Sequence, residues 1–371
     1  MTEAARPDRW RPLRIAMTSY YLPSESKIGA GHVAHGLAQA MVDRGHHVTM
    51  FSPCRKPDDA RYDHELVTMT GSLRTFRWAN RIRQLDLVGF DILHAHGDNH
   101  LRWRRSPPVV RTMHGSCFAE ARHITGAKER LRMVALGLTE IVASLTATTT
   151  VAVSANTRHY YPWIRRVIPN GVDLDLFRPG DKEPEPTILF VGTYEQRKRG
   201  RLLMDVFARE IRPQVPDAHL WMVCSDAPDA PGVDVLGRLT DEELADRYRR
   251  AWVFCLPSTY EGFGVPYIEA MASGTAVVAT RNPGAVEVLR GGALGVLAGD
   301  HDLGSVLLRI LREPSAAEAL ADAGTSQVRS YAWPNVARRY EDTYQALIDD
   351  EPTPGPPPGK GRTTFDDGCD P

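Results

Sequence analysis

The chain has 371 residues, 42% hydrophobic and 25% charged, which is the composition of a soluble globular protein and enough length for two domains. It contains no run of 18 apolar residues, its polar first residues do not resemble a signal peptide, and its five cysteines form no CxxC pair. These features exclude a membrane-spanning protein and predict a cytoplasmic one with reduced thiols.

The formal net charge of −1 conceals a basic first half, because residues 1–170 hold 24 Lys and Arg against 14 Asp and Glu. Such a surface is suited to anionic lipid headgroups or to an acidic acceptor, although a solvated arginine-rich surface is an equally good interpretation. No nucleic-acid recognition motif accompanies the charge, so nucleic acid is not predicted as a partner.

The first 170 residues alternate between apolar runs of strand length and segments with helical periodicity. Strands are predicted at 13–19, 45–51, 91–94, 109–113 and 148–153, and helices at 32–41 and 128–145. The opening strand, helix and strand predict a parallel sheet. A further candidate helix carries Arg74, Arg77, Arg81 and Arg83, of which the first three share a face.

A second series of strands and helices follows the turn at 167–173, where Pro169 and the pair Asn170-Gly171 interrupt the pattern. Strands are predicted at 187–192, 219–223, 253–256 and 276–280, and helices at 202–211, 241–250 and 303–311. We therefore expect an α/β fold of two doubly wound Rossmann-like domains, 1–170 and 171–333, facing a cleft. The tail at 352–371 is rich in Pro and Gly and is predicted to be disordered.

The most informative stretch begins at Glu261 and continues as Gly262-Phe263-Gly264-Val265 to Glu269 and Gly274. It follows an apolar run at 251–257 and leads into a predicted helix at 267–273. A strand, a glycine loop and a helix start present backbone N–H groups to an anion, and the two carboxylates suit hydroxyl groups. A phosphate next to a polyol indicates a sugar nucleotide.

This stretch resembles the Glu-x7-Glu signature of the family 4 retaining glycosyltransferases, which have the GT-B fold. The resemblance extends over about residues 13–350 and includes short motifs along the chain. These are Gly29-x-Gly31, Gly45-His-x-Val, His94-x-His96, Thr112-x-His114-Gly, Ile168-Pro-Asn-Gly-Val-Asp173, Phe190-Val-Gly-Thr-x-Glu-x-Arg-Lys198 and Tyr331-Ala-Trp333. It implies an enzyme that moves a sugar from a nucleotide-diphosphate sugar to an acceptor hydroxyl of a glycan, glycolipid or small natural product. The segment after Trp333, about 334–350, is then expected to pack back onto the first domain.

The resemblance also implies roles for individual residues. Arg197 and Lys198 would neutralise the leaving nucleoside diphosphate, and Glu269 would accept hydrogen bonds from the ribose. Glu261 would lie near the donor sugar, and His114 would contact that sugar.

Two further segments of the site follow from the same resemblance. The amides of Gly262, Phe263, Gly264 and Val265 would hold hydroxyl and diphosphate oxygens. One departure is Thr193, which stands where many relatives carry an arginine and which weakens the assignment of Arg197.

Gly29 and Gly31 precede a predicted helix and would lie near the diphosphate and the acceptor, with His32 within reach of the acceptor. Taken by itself, the glycine pair is more readily explained as a tight structural turn, and a surface imidazole at a helix start explains His32 equally well.

No metal and no cofactor are expected, since the donor is a substrate. The pair His94-x-His96 has no third ligand at motif spacing, and packing is the favoured explanation for His94. Asp173-Leu-Asp175 resembles a metal motif of a different glycosyltransferase fold, but it lies in the interdomain turn.

Other functions of the same fold remain open, namely a sugar-nucleotide epimerase, a disaccharide phosphorylase and an inactive sugar-nucleotide-binding subunit. Acceptor contacts are expected from the variable segments 58–70 and 118–132. The arginines of the 74–83 helix suggest weak peripheral contact with anionic membrane, but this helix has few apolar residues, so a soluble acceptor is slightly preferred.

Overall fold

A computed structural model describes residues 11–26, 28–69, 74–103, 106–124 and 126–349. The tail predicted to be disordered, 352–371, lies outside the described residues. Within these ranges the chain forms two parallel sheets, each covered by helices on both faces. This is the predicted pair of Rossmann-like α/β domains.

The first sheet contains seven strands in the described residues, in the order β3-β2-β1-β4-β5-β6-β7. Their bounds are β1 Arg14–Thr18, β2 His47–Ser52, β3 Asp63–Leu66, β4 Ile92–Ala95, β5 Val109–Met113, β6 Thr149–Ala152 and β7 Arg166–Val167. The helices that accompany this sheet are α1 Gly29–Asp43, α2 Arg74–Gln84, α3 Cys117–Ala121, α4 Ala127–Thr146 and α5 Ala155–Tyr160.

The second sheet contains six strands in the described part of the chain, in the order β10-β9-β8-β11-β12-β13. Their bounds are β8 Thr187–Val191, β9 His219–Val223, β10 Val233–Val235, β11 Val253–Leu256, β12 Ala276–Thr280 and β13 Val296–Ala298. The later helices are α6 Gly200–Val206, α7 Asp241–Arg250, α8 Val265–Ala272, α9 Pro283–Val288, α10 Leu303–Arg312, α11 Pro314–Val328 and α12 Trp333–Asp349.

The strands at the centre of each sheet have apolar sequences because both of their faces are covered. All residues of β5, β11 and β12 are buried, as expected for a parallel sheet between two helical layers. Helix α7 begins where the sequence predicted, since Thr240 and Glu243 form a capping box at its N-terminus.

Several helices begin or end at residues other than those predicted from the sequence. Helix α1 begins at Gly29, three residues before the predicted start, and α8 begins at Val265, two residues before it. The predicted helix 202–211 ends as a π-helix from Phe207 to Ile211. The segments predicted to contact the acceptor, 58–70 and 118–132, contain strand β3, most of helix α3 and the start of α4.

Helix α12 returns to the first domain. Val336, Tyr340 and Tyr344 are buried in the core formed by β1, β2 and α1. The chain crosses between the domains at one place, where the Val172 amide donates to the Tyr331 carbonyl at 2.9 Å and the Trp333 amide donates to the Val172 carbonyl at 3.2 Å. The last helix is therefore part of the first domain's core.

Among the described helices, none combines the length and the apolar content needed to cross a membrane.

Candidate active site

The predicted site residues lie at the carboxyl edges of the two sheets. In the second domain, adjacent strands β8 and β11 end at Val191 and Leu256, so the segments that follow them meet at one edge. In the first domain, β4 and β5 are adjacent and are followed by His96 and His114. Carboxyl edges are where ligands bind in open parallel sheets.

Arg197, Lys198 and Glu261 form a charge cluster, as the sequence predicted them to share a site. Arg197 Nη1 lies 2.7 Å and Lys198 Nζ 2.8 Å from the same oxygen, Glu261 Oε1. Burial alone would raise the pKa of Glu261, but the two cations lower it below its usual value. Two cations share one buried carboxylate, so the cluster keeps positive charge for an anion.

The other two basic residues of this segment point elsewhere. Arg199 forms a bidentate pair with Asp300, at 2.7 and 2.9 Å, and Arg201 pairs with Glu195. The sequence could not separate Arg197 and Lys198 from this basic turn. The structure does so, because only the first pair reaches the glutamate of the glycine loop.

The glycine loop is built to leave amides free at the start of α8. Gly264 caps the helix with φ 101° and ψ 58°, a left-handed conformation that favours glycine. Within the described residues, none of the amides of Gly262, Phe263, Gly264 and Val265 donates a hydrogen bond. These donors, together with the helix N-terminus, are available to an anionic ligand.

Glu269 lies one turn inside α8 and is partly buried. Burial is the largest cause that raises the pKa of its carboxyl group to about 7. Asp241 raises this pKa further, whereas the Tyr248 hydroxyl and Lys198 lower it. The carboxyl group thus lies close to the charge cluster but does not pair with it. Its charge changes near neutral pH.

Three stacked imidazoles connect the first domain's core to the cleft. His94 bonds to Tyr344 OH at 2.5 Å through Nδ1 and to Thr112 Oγ1 at 2.8 Å through Nε2. His96 stacks on His94 with ring centroids 4.4 Å apart, and its Nδ1 lies 3.1 Å from His114 Nε2. His94 therefore has the packing role that the sequence favoured.

Burial keeps these imidazoles neutral at physiological pH. It lowers the pKa of His114 to about 4, assisted by Arg111, and the pKa of His94 to about 3, assisted by His114. Neutral imidazole can both donate and accept, and in the described residues His114 Nδ1 has no partner. His114 therefore carries a buried ring nitrogen whose hydrogen-bonding capacity is unused in this structure.

The two domains touch next to the charge cluster. Ser154 Oγ donates to the Gly262 carbonyl at 2.6 Å. The Ala155 amide at the start of α5 donates to the Glu287 carboxylate at 2.9 Å. A Cβ atom on Gly262 would lie 3.0 Å from the His114 carbonyl oxygen. The glycine loop and the His114 segment are thus in close approach.

Sequence reasoning missed Glu120 on helix α3. Burial raises the pKa of this carboxyl group, Glu140 and Glu261 raise it further, and Arg197 lowers it. The influence of Arg197 and Glu261 places Glu120 near the charge cluster, on the first-domain side of the cleft. The only signal in the sequence was its position inside segment 118–132, which was predicted to contact the acceptor.

Gly29, Gly31 and His32 lie at the start of α1. Gly29 is exposed and has open space around its Cα, whereas a Cβ atom on Gly31 would lie 2.8 Å from the Tyr21 carbonyl oxygen. Close packing therefore explains Gly31. Burial lowers the pKa of His32, and the second-domain residue Asp241 opposes this shift, so His32 faces the other domain.

Asp173 has a structural role in the interdomain turn, because its Oδ1 accepts from the Asp175 amide at 2.9 Å and the Leu176 amide at 3.2 Å. In the part of the chain that the structure describes, no group of three or more His, Cys, Asp or Glu side chains is arranged to hold a metal ion.

Comparison with known proteins gives two family matches. Residues 28–176 match the model described as "Glycosyltransferase Family 4", and residues 185–313 match the one described as "Glycosyl transferases group 1". The phosphatidyl-myo-inositol mannosyltransferase of Mycobacterium tuberculosis is 32% identical over 203 residues, which are 48% of this chain and 53% of that protein. The chain thus spans about half the length of the curated relatives it matches.

Solved structures share the fold at low sequence identity. Sucrose-phosphate synthase from Thermosynechococcus elongatus superposes with a TM-score of 0.74 at 22% identity, covering 91% of this chain and all of that one. Anabaena HepE in complex with UDP-glucose superposes with a TM-score of 0.71 at 16% identity, covering 90% of this chain and all of that one. The predicted GT-B arrangement of two Rossmann-like domains is confirmed.

Proposed function

This chain belongs to the family 4 glycosyltransferases, and on that premise we propose that it transfers a glycosyl group from a nucleotide-diphosphate sugar to an acceptor hydroxyl. The observation that carries the proposal is the cluster of Arg197, Lys198 and Glu261 beside unpaired loop amides. A diphosphate gains negative charge as the glycosidic bond breaks, and fixed cations with helix-terminal amides stabilise that charge without a metal ion. We propose a UDP or GDP sugar as the donor; HepE, which shares the fold, was solved with UDP-glucose, which supports a nucleotide-sugar donor.

We further propose that the reaction retains anomeric configuration by front-face displacement. The bond from the anomeric carbon to the diphosphate oxygen breaks, and the acceptor oxygen bonds to that carbon on the same face. The acceptor proton passes to the departing diphosphate. His114 orients the donor sugar through a neutral imidazole nitrogen, and Glu269 accepts from the ribose hydroxyls.

The test begins with thermal stabilisation of the purified chain by UDP, GDP and TDP, and then by their sugars. The nucleotide sugar that stabilises best is incubated with alcohol acceptors, and free nucleoside diphosphate and the new glycoside are measured by mass spectrometry and NMR. We expect both products, with the donor's anomeric configuration in the glycoside.

A matched pair of variants links this activity to the cluster. Arg197→Gln should lose most turnover, whereas Arg201→Gln, whose side chain pairs with Glu195 outside the cluster, should keep it. If the product is an isomerised sugar nucleotide, the reaction is epimerisation and not transfer. If the product is a sugar phosphate formed with inorganic phosphate, the reaction is phosphorolysis. Nucleotide binding without any product would indicate a binding subunit.

A further inference from the structure

One side of the first domain exposes a continuous apolar stripe. Helix α4 has outward-facing Leu and Val side chains spaced three or four residues apart, so they follow one line along the helix for about 21 Å. The three leucines have 57–71% of their surface accessible. The stripe consists of Leu131, Val134, Leu138, Val142 and Leu145.

Two exposed tryptophans lie in segments that are hydrogen-bonded to α4. Trp103 is 73% accessible and belongs to the loop after β4, which is bonded to α4 through Asn99 Nδ2 and the Ala143 carbonyl at 3.0 Å. Trp163 is 41% accessible and its Nε1 donates to Ser144 Oγ of α4 at 3.0 Å. Tryptophan beside apolar side chains is typical of a surface that meets the membrane–water interface.

Helix α2 adds positive charge on the same side of the sheet. Trp78 and Ile82 of α2 share a core cluster with Ala147, which directly follows α4. The loop after β4 is also bonded to α2, because Arg102 Nη1 donates to the Ile82 carbonyl at 3.1 Å. Helix α2 contains no acidic residue. We call the stripe, the two tryptophans and the exposed α2 residues the docking face; its α2 members are Arg74, Phe76, Arg77, Arg81 and Arg83.

The charges on this face favour an anionic surface over a second copy of the chain. Of the two acids of α4, Glu129 pairs with Arg132 on the helix surface, while Glu140 accepts from Cys117 and from the Tyr161 hydroxyl. A second copy would therefore bring arginines without free carboxylates to meet them. Anionic headgroups supply that charge, and the acyl boundary accepts the leucines.

We propose that the docking face binds the surface of an anionic lipid bilayer, with α4 lying in the interfacial plane. The stripe supplies the apolar face that the arginine helix lacks, since Trp78 of α2 is fully buried. The Phe118 ring of α3 packs against Gly137 of α4, so the docking face adjoins the segment that lines the cleft.

Co-sedimentation of the full chain with vesicles tests the proposal. Vesicles that contain phosphatidylglycerol should pellet the protein at low salt, pure phosphatidylcholine vesicles should pellet far less, and high salt should weaken the binding. The triple variant Leu131→Gln, Leu138→Gln and Leu145→Gln should bind at least about a hundredfold more weakly, because each substitution removes the free energy gained when an apolar side chain leaves water for the bilayer. The double variant Arg81→Gln and Arg83→Gln should bind about tenfold or more weakly at low salt.

Matched controls separate the face from a general surface effect. Leu66→Gln changes an exposed leucine on edge strand β3, and the double variant Arg209→Gln and Arg309→Gln removes two exposed arginines of the second domain. Both should bind like the unaltered chain, and circular dichroism should show unchanged melting for all variants.

Three results would overturn the proposal. The unaltered chain could stay in the supernatant with anionic vesicles, or the triple variant could pellet as well as the unaltered chain does. In the third, velocity sedimentation without lipid shows a dimer that the triple variant converts to monomer, which would mean that a second copy covers the stripe.

Discussion

Glu261 is the residue that balances the charge of the cleft. It is 6% accessible and is the carboxylate that pairs with both Arg197 and Lys198. Without it, two partly buried cations would face each other without a counter-charge, so the ligand-free protein depends on this side chain. A bound diphosphate would bring its own negative charge to the same cations.

Replacing Glu261 by glutamine should therefore lower the stability of the ligand-free protein and increase the stabilisation that a bound nucleoside diphosphate provides. We expect Glu261→Gln to lose about 3 kcal/mol of unfolding free energy, because the two partly buried cations lose their buried partner. A nucleoside diphosphate should then raise the melting temperature of the variant more than that of the unaltered protein. Glu195→Gln, which breaks an exposed pair with Arg201, serves as the control and should melt unchanged. Equal melting of Glu261→Gln and the unaltered chain would contradict this role.

Glu269 gives a pH-dependent prediction, because burial raises its pKa to about 7 in the folded protein. Between the unfolded pKa of 4.5 and about pH 7, the folded state holds a proton that the unfolded state releases, so this group's stabilisation is lost as the pH rises through 7. Glu269→Gln should gain about 2 kcal/mol relative to the unaltered chain between about pH 5 and pH 8 in urea titrations.

Nucleotide affinity should change in the opposite direction. In the proposed role, the ionised Glu269 carboxylate would accept two ribose hydroxyl hydrogen bonds, so binding of nucleoside diphosphate should strengthen as the pH rises through 7. In calorimetric titrations Glu269→Gln should bind more weakly and lose this pH dependence. Unchanged affinity of the variant at about pH 8 would rule out the ribose role.

At the scale of elements, Trp333 fixes the return of α12 to the first domain. Its indole ring occupies the space beside two glycines: a Cβ atom would lie 2.4 Å from the ring at Gly36 of α1 and 2.3 Å at Gly171 of the interdomain turn. These glycines are required by the close approach of the ring, not by an unusual backbone conformation.

Gly171→Ala should therefore displace α12 and destabilise the first domain. Overpacking of this kind costs about 1–3 kcal/mol of unfolding free energy, measurable as a lower urea midpoint. Gly29→Ala is the matched control, because this glycine of α1 has no atom within 4 Å of its would-be Cβ. If both variants unfold at the same midpoint, the indole does not constrain the turn.

The elements that sequence predicted well are those whose burial fixes their composition. Strand β5 and strand β11 have the predicted bounds because continuous apolar runs of that length fit a covered parallel sheet. Strand β3 was missed because its residues Asp63 to Leu66 lie at the sheet edge and are mostly polar. Helix α4 was predicted, but its period could not show which face would be left exposed.

The site was predictable only where a contiguous motif carries it. Glu261 and the loop amides were proposed as site residues because one short stretch holds them, and Arg197 and Lys198 because a second motif does. The contact between His96 and His114 depends on the register of β4 against β5, which no spacing in the sequence reveals. Glu120 was missed for the same reason, since its proximity to Arg197 exists only across the cleft.

For the whole molecule, we expect transfer without a divalent metal. The diphosphate would be neutralised by Arg197, Lys198 and the N-terminus of α8. EDTA should leave the rate of diphosphate release unchanged, and added Mg²⁺ or Mn²⁺ should not raise it. An absolute metal requirement would contradict this expectation and would make Asp173 and Asp175 candidate metal ligands.

The place where the chain crosses between the domains also fixes how they can move. Both crossings lie side by side, joined by the parallel bridge between Val172 and Ala332. Two adjacent tethers resist sliding and separation of the domains but leave a swing about the bridge. Opening of the cleft then has one main degree of freedom, and atoms far from the bridge travel furthest along the arc. A single distance between two labels, one on each domain and both remote from Val172, would therefore report the complete opening coordinate.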